Sequence, residues 1–303
     1  MRISTNLVSN QIIENLNVDL ERLTALNNQT STGRRIQRPS DDPLGAQRVT
    51  SVGEAISRLE QYQRNSTYVT NWINATESAL TGVNDALRRA NSLAVRGAND
   101  ATLTQTELDA LASEVNGILE NIYQLSNTTL EGRYLFSGYQ TATSSYQAVM
   151  AGTEIASVNY TGDAGVDQVE IDQGQTVNKN LPGSVVFQPA AGIDVFATLV
   201  ALRDDLRAGN QAAVAAAIAT TETARQQVAD QVSILGNKTN QLEGVGENLA
   251  TKKNGLVNLE SQLADVDMPS AIVELKTAEN IYTAALESSA RIMNLPKLMD
   301  FLG

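Results

Sequence analysis

The chain has 303 residues, a net charge of −12, and side chains that are 42% hydrophobic but only 4% aromatic. That acidic balance disfavours general attraction to nucleic acid or an anionic membrane, whose phosphates would repel it. With neither cysteine nor histidine, thiol nucleophiles, imidazole acid–base chemistry, disulfides and the usual zinc sites are excluded. Four phenylalanines and one tryptophan supply too little bulk for one large round core. The abundance of Ala, Leu, Asn, Gln and Thr suits long helices meeting along thin seams.

The first segment, Ile3 to Thr30, carries Leu16, Leu20, Leu23 and Leu26 at helical spacing. A break follows at Ser31-Thr32-Gly33, then a basic group, Arg34, Arg35 and Arg38, and the run Pro39-Ser40-Asp41-Asp42-Pro43. Asp42 before Pro43 reads as an N-cap with proline at the first helical position. From Val52 the stripe Ile56, Leu59, Tyr62, Val69, Ile73, Leu80, Val83, Leu87 and Ala94 keeps nearly heptad spacing, which predicts one long helix ending near Gly97. After a turn at Asn99-Asp100, Thr106 with Asp109 predicts a second capped start. Leu111, Val115, Ile118 and Ile122 continue that helix to about Leu130.

Glycines then recur from Glu131 to Pro189, between short β-prone runs at 134–136, 158–160, 169–171 and 185–187. These predict a compact β-rich insertion. Helical texture resumes at Ile193, and from Gln211 to Val266 the positions Val214, Val228, Leu235, Leu242, Leu249 and Leu263 share one grid. Gly244-Val245-Gly246 lacks the third glycine and the preceding strand of a dinucleotide fingerprint, and reads as a flexible helix joint. In the last stretch Ile272, Leu275, Tyr282, Leu286 and Met293 form a narrow stripe with Glu279 and Ser289 in its polar slots. Asp267 is placed to cap this helix, with Pro269 in its first turn. A narrow stripe is what one helix offers another.

The carboxylate clusters Asp41-Asp42, Asp204-Asp205 and Asp265 with Asp267 all sit beside turns or helix ends, where capping explains them. A calcium loop from Asp265 fails, because Ser270 stands where the glycine belongs and Lys276 where the bidentate glutamate belongs. Arg34, Arg35 and Arg38, with Asp41 and Asp42 nearby, are candidates for local or intersubunit ion pairs. No arrangement meets the requirements of a catalytic, cofactor or metal site, and the expectation is a protein that is not an enzyme. The segment Met1 to Asn10 lacks an apolar signal core, and the longest apolar runs are too short to span a bilayer.

Four stretches carry a resemblance: MRISTNL, STGRRIQRPSDDPLGAQ, LEGRYLFSGYQT, and ADVDMPSAIVELKTAENIYTAAL with LMDFL at the end. Together they resemble the bacterial flagellin superfamily, and within it the hook-filament junction branch. The implied fold is mainly α with a small β-rich insertion, a long antiparallel helical hairpin or coiled coil with both termini at one pole. The implied domains are an inner terminal coiled coil, 1–38 with 269–303, disordered in the free monomer; a middle helical bundle, 39–130 with 193–268; and an outer β-rich domain, 131–192.

The implied role is that of an extracellular axial component of the flagellum, exported without a cleaved signal peptide. It would join a hook-associated ring to the flagellin filament by head-to-tail packing. The implied partners are flagellin on one axial face, another hook-associated protein on the other, like subunits in a ring, and a cytosolic export chaperone at the C-terminal segment. Neither nucleic acid, membrane nor cofactor is implied. Assembly seams would run through Leu16, Leu20 and Leu23 and through Ile272, Leu275, Tyr282, Leu286 and Met293. A minor flagellin that builds the filament itself fits the same helices. A secreted helical adhesin or effector would instead work through its β insertion.

Overall fold

The computed structural model describes residues 5–99 and 103–293. Seven helices and six strands occur among them: α1 (Thr5–Thr32), α2 (Pro43–Asn99), α3 (Gln105–Ser126), β1 (Thr129–Leu130), β2 (Arg133–Tyr134), β3 (Tyr146–Ala151), β4 (Glu154–Tyr160), β5 (Gln168–Asp172), β6 (Gln175–Asn178), α4 (Gly183–Val186), α5 (Val195–Arg207), α6 (Gln211–Ala264) and α7 (Met268–Met293). The mainly helical fold with a small β-rich region is as expected. Asp100, assigned to a turn, lies outside the described residues. Contacts divide the chain into two compact units, Met1–Arg58 with Lys252–Gly303, and Leu59–Thr251, where the resemblance implies three domains. The long helices α2 and α6 contribute residues to both.

In the unit Leu59–Thr251, the stripe read from sequence on α2 is the buried one. Val69, Ile73, Leu80, Val83 and Leu87 are shielded from solvent, with Ser66 and Thr76 in the intermediate slots. They meet Val115, Leu119 and Ile122 of α3 and Val214, Val228, Leu235 and Leu242 of α6 in one hydrophobic cluster. The helix start of α3 lies two residues before its expected place. Thr104 accepts a hydrogen bond from the Glu107 amide while the Glu107 carboxylate accepts from the Thr104 amide, a reciprocal capping box. Thr104→Ala is expected to cost about 1 kcal/mol, seen as a lower urea midpoint with an unchanged slope.

The β-rich residues do not stand apart from this core. Their strands form three separate antiparallel pairs, β1–β2, β3–β4 and β5–β6. A two-residue turn joins Leu130 to Arg133 through Glu131 (φ 52°) and Gly132 (φ 75°). Positive φ at both central residues matches the twist of a two-residue hairpin. Tyr146 of β3 packs 5.1 Å from Phe196 of α5 and 5.5 Å from Phe187, while Phe136 meets Phe187 edge-on at 5.3 Å.

Residues 185–187, expected as a strand, instead form α4 and its C-cap. Gly183 explains why the turn fits, since a Cβ there would stand 2.5 Å from the Tyr146 hydroxyl. On the α2 side, buried Lys179 pairs with Asp167 and sets its ammonium 4.9 Å from the Trp72 ring centroid and 5.1 Å from that of Tyr68. Such cation–π contacts strengthen when desolvated. Buried Arg203 is likewise satisfied, by the Ile155 carbonyl at 2.7 Å, Asn116 at 3.1 Å and Asp204 at 2.8 Å.

The expected joint at Gly244-Val245-Gly246 is absent: α6 is one continuous helix from Gln211 to Ala264. A glycine in a helix costs about 1 kcal/mol relative to alanine, and burial of Leu242 and Leu249 on either side holds the helix through these positions. Among the described residues, no helix is long and apolar enough to cross a membrane.

Candidate assembly surface

The unit formed by Met1–Arg58 and Lys252–Gly303 is organised around the segment between α1 and α2. Gly33 adopts φ +70° and ends α1, its amide bonding to the Gln29 carbonyl at 2.8 Å. The chain then pairs with the end of α6. The Arg35 amide donates to the Ala264 carbonyl at 2.7 Å, the Val266 amide donates to the Gly33 carbonyl at 2.9 Å, and Arg34 and Asp265 form an antiparallel bridge. The Arg35 guanidinium donates to the Leu263 carbonyl at 2.8 Å and approaches Asp42 at 3.3 Å. This clamp fixes α1 and α7 as antiparallel neighbours.

The two aspartates act mainly on backbone. Asp41 accepts from the Arg38 amide at 2.8 Å and the Gln37 amide at 3.1 Å, and Asp42 accepts from the Gly45 amide at 2.9 Å. The N-cap read from Asp42-Pro43 is therefore present. Gly45 has no room for a side chain, because a Cβ would stand 2.4 Å from an Asp42 oxygen and 2.6 Å from Ile36. The basic group splits: Arg35 faces Asp42 at 3.3 Å, Arg34 faces Glu260 at 3.8 Å, and Arg38 is exposed. Arg34, Arg35, Asp41 and Asp42 thus hold their own chain together, and exposed pairs of this kind contribute little stability.

Donated amide hydrogens hold both carboxyls below the ordinary value of 3.8, chiefly those of Arg38 for Asp41 and of Gly45 for Asp42. A carboxyl whose pKa is lowered by folding stabilises above its unfolded value, and that stability is lost as pH falls through the folded value. The Arg38 and Gly45 amide resonances are expected to titrate with midpoints below 3.8, and Asp42→Asn, which still caps, should abolish the Gly45 titration. A Gly45 midpoint at or above 3.8 would contradict this geometry.

The seam between α1 and α7 differs in register from the sequence reading. On α1, Leu16 and Leu23 are half-buried and Leu26 is buried, but Leu20 is 44% exposed. On α7 the covered positions are Ala271, Leu275, Ala278, Glu279, Tyr282, Ala285 and Ser289, whereas Ile272 (46%) and Leu286 (44%) face outward. Alanines at Ala271, Ala278 and Ala285 keep this line inconspicuous by hydrophobicity, yet their three-four spacing with Leu275 and Tyr282 marks it. The side chain of Met293, and the tail residues Leu298, Met299, Phe301 and Leu302, lie outside the described residues.

This unit buries little and exposes much. Among the described residues its buried apolar side chains are Leu26, Ile36, Ala264, Ala271 and Ala278, while Leu7, Ile13, Val18, Leu44, Val273 and Ile281 are all at least 45% exposed. Apolar surface on that scale marks an interaction face.

Two sequence models match this chain: the bacterial flagellin N-terminal helical region over residues 3–141, and the bacterial flagellin C-terminal helical region over residues 218–302. The chain belongs to the bacterial flagellin family. This flagellin-family chain is 27% identical over 290 residues to flagellar hook-associated protein 3 of Escherichia coli, covering 90% of each chain. It is also 28% identical over 302 residues to the flagellin of Bacillus subtilis, covering 95% of this chain and 94% of that one. In fold it resembles the flagellar junction protein of Legionella pneumophila, with a TM-score of 0.58 at 14% identity over 73% of this chain and all of that one. The clamp described above joins the two matches, Gly33 to Asp42 inside the N-terminal one and Leu263 to Val266 inside the C-terminal one, which also contains α7.

Proposed function

We propose that this flagellin-family chain is an axial structural component of the bacterial flagellum that joins a hook-associated ring to the flagellin filament. The observation that carries the reading is its correspondence, over 90% of both chains, to the Escherichia coli protein named flagellar hook-associated protein 3. The exposed apolar faces of α1 and α7 supply the physical means. Head-to-tail contacts between such faces do not close as a two-fold dimer does, and around an axis they build rings or helical stacks. One axial face then meets another hook-associated protein, and the other meets flagellin. Residues 1–38 with 269–303 take up neighbouring subunits, while a cytosolic chaperone covers the C-terminal segment before export without a cleaved signal peptide.

Deleting the gene tests the reading. Cells should carry hooks without filaments and shed flagellin into the medium. The 28% identity to Bacillus subtilis flagellin favours one second reading, a minor filament subunit. Deletion that leaves filaments attached to hooks would select that reading over the junction.

A further inference from the structure

Within the unit that contains α1, an open groove of about 550 Å³ runs between the first turns of α2 and the last turns of α6. Leu44, Arg48 and Val52 form one wall and Leu259 and Leu263 the other. Leu44 is 61% exposed and Leu259 41%, so the apolar walls stand open to solvent. Arg48 is the charged side chain among the residues lining the groove. Two helical ridges around an apolar trough are the geometry that receives a third helix.

The exposed flank of α1 has matching features. Ile13 and Leu20 stand one heptad apart, about 10 Å along the axis, and both are exposed. Leu44 to Val52 spans about 12 Å on the same scale, so two such side chains fit the length of the trough. Glu14 and Glu21 repeat beside them on the exposed surface, which places a carboxylate at the rim where Arg48 stands. The outward face of α7 fits less well. Ile272 and Leu286 are two heptads apart, about 21 Å, which overruns the groove, and the line Val273–Ile281 is flanked by exposed Lys276.

We propose that this groove seats α1 of a second copy of the chain, with Ile13 and Leu20 in the trough and Glu14 or Glu21 against Arg48. The contact is heterologous, since groove and helix are different surfaces, and it repeats from copy to copy around the axis. This inference rests on the assembly role proposed above and names the surface through which like subunits meet.

The absence of cysteine makes the test clean. Leu20→Cys and Leu259→Cys are made as separate variants, expressed together in place of the natural chain, and the isolated flagella are treated with a mild oxidant. Disulfide-linked dimers should form several-fold more in flagella holding both variants than in flagella holding either alone. Arg48→Glu in the Leu259→Cys chain should reduce linking several-fold, and adding Glu14→Arg and Glu21→Arg to the Leu20→Cys chain should restore it. Variants that enter flagella but do not link would overturn the seat and leave the assembly role standing. More linking of Leu259→Cys to Ile281→Cys than to Leu20→Cys would instead hand the groove to α7. Failure of the unsubstituted chain to enter flagella at all would overturn both the seat and the role.

Discussion

In the isolated chain, backbone amides of α1 and α7 are expected to exchange with solvent at least about 100-fold faster than those of α2 and α6 around Leu80 and Val228. In flagella the same α1 and α7 amides should become protected. The reason lies in what each helix buries. Leu80, Val83, Leu87 and Val228 are fully removed from solvent in the large cluster, so exposing their amides requires opening that core. On α1 and α7 the described positions that are buried are Leu26, Ala271 and Ala278, none of them completely, and alanine contributes little burial. Most helical stability in proteins comes from packing an amphipathic face, which these two helices largely lack, and local opening free energies range from near zero to the global value. A difference of about 3 kcal/mol suffices for the factor stated. The docking of α1 into a neighbour proposed above, and of α7 against other copies, would supply the missing burial on assembly. Protection across Leu275–Ala285 in the isolated chain equal to that across Val228–Leu242 would refute this account.

The long helices were legible because their apolar repeat is carried by large side chains over many turns: Val69, Ile73, Leu80 and Leu87 are all both striped in sequence and buried in structure. The clamp was half legible. Asp42-Pro43 announced a cap, but the pairing of Arg35 with Ala264 and of Val266 with Gly33 joins residues more than two hundred positions apart, which no local pattern encodes. The terminal seam was displaced because hydrophobicity favours Ile272 and Leu286 over Ala271 and Ala278, while the close pairing of two helices favours the small residues. Ile272 and Leu286 are exposed instead. Residues 185–187 failed for a different reason. Val-Val-Phe has strong β propensity, yet a glycine that accommodates Tyr146 and a proline ahead of it start a helical turn, and tertiary packing of Phe187 decides the outcome.

Phe187 is accordingly a position where substitution should cost much. Its side chain is fully buried, 5.3 Å from Phe136, 5.5 Å from Tyr146 and 5.7 Å from Phe196 between ring centroids. Its carbonyl also accepts the Val195 amide at 2.9 Å, tying α4 to the start of α5. Phe187→Ala removes the ring shared by the β-rich residues and α5, leaving a cavity whose walls belong to three elements and cannot all collapse inward. The expected loss is about 3 to 5 kcal/mol, a large fraction of the stability of an ordinary domain. Trp72, the sole tryptophan, is buried in the same unit, so its fluorescence during urea unfolding reads the change directly. Val185→Ala is the internal comparison. In a strand of alternating burial Val185 and Phe187 would share a face and both losses would be large, whereas α4 turns Val185 outward to 44% exposure, and its substitution should shift stability by less than about 0.5 kcal/mol. Similar losses for the two variants would return these residues to a strand and separate Phe187 from the core that joins the β-rich region to the helices.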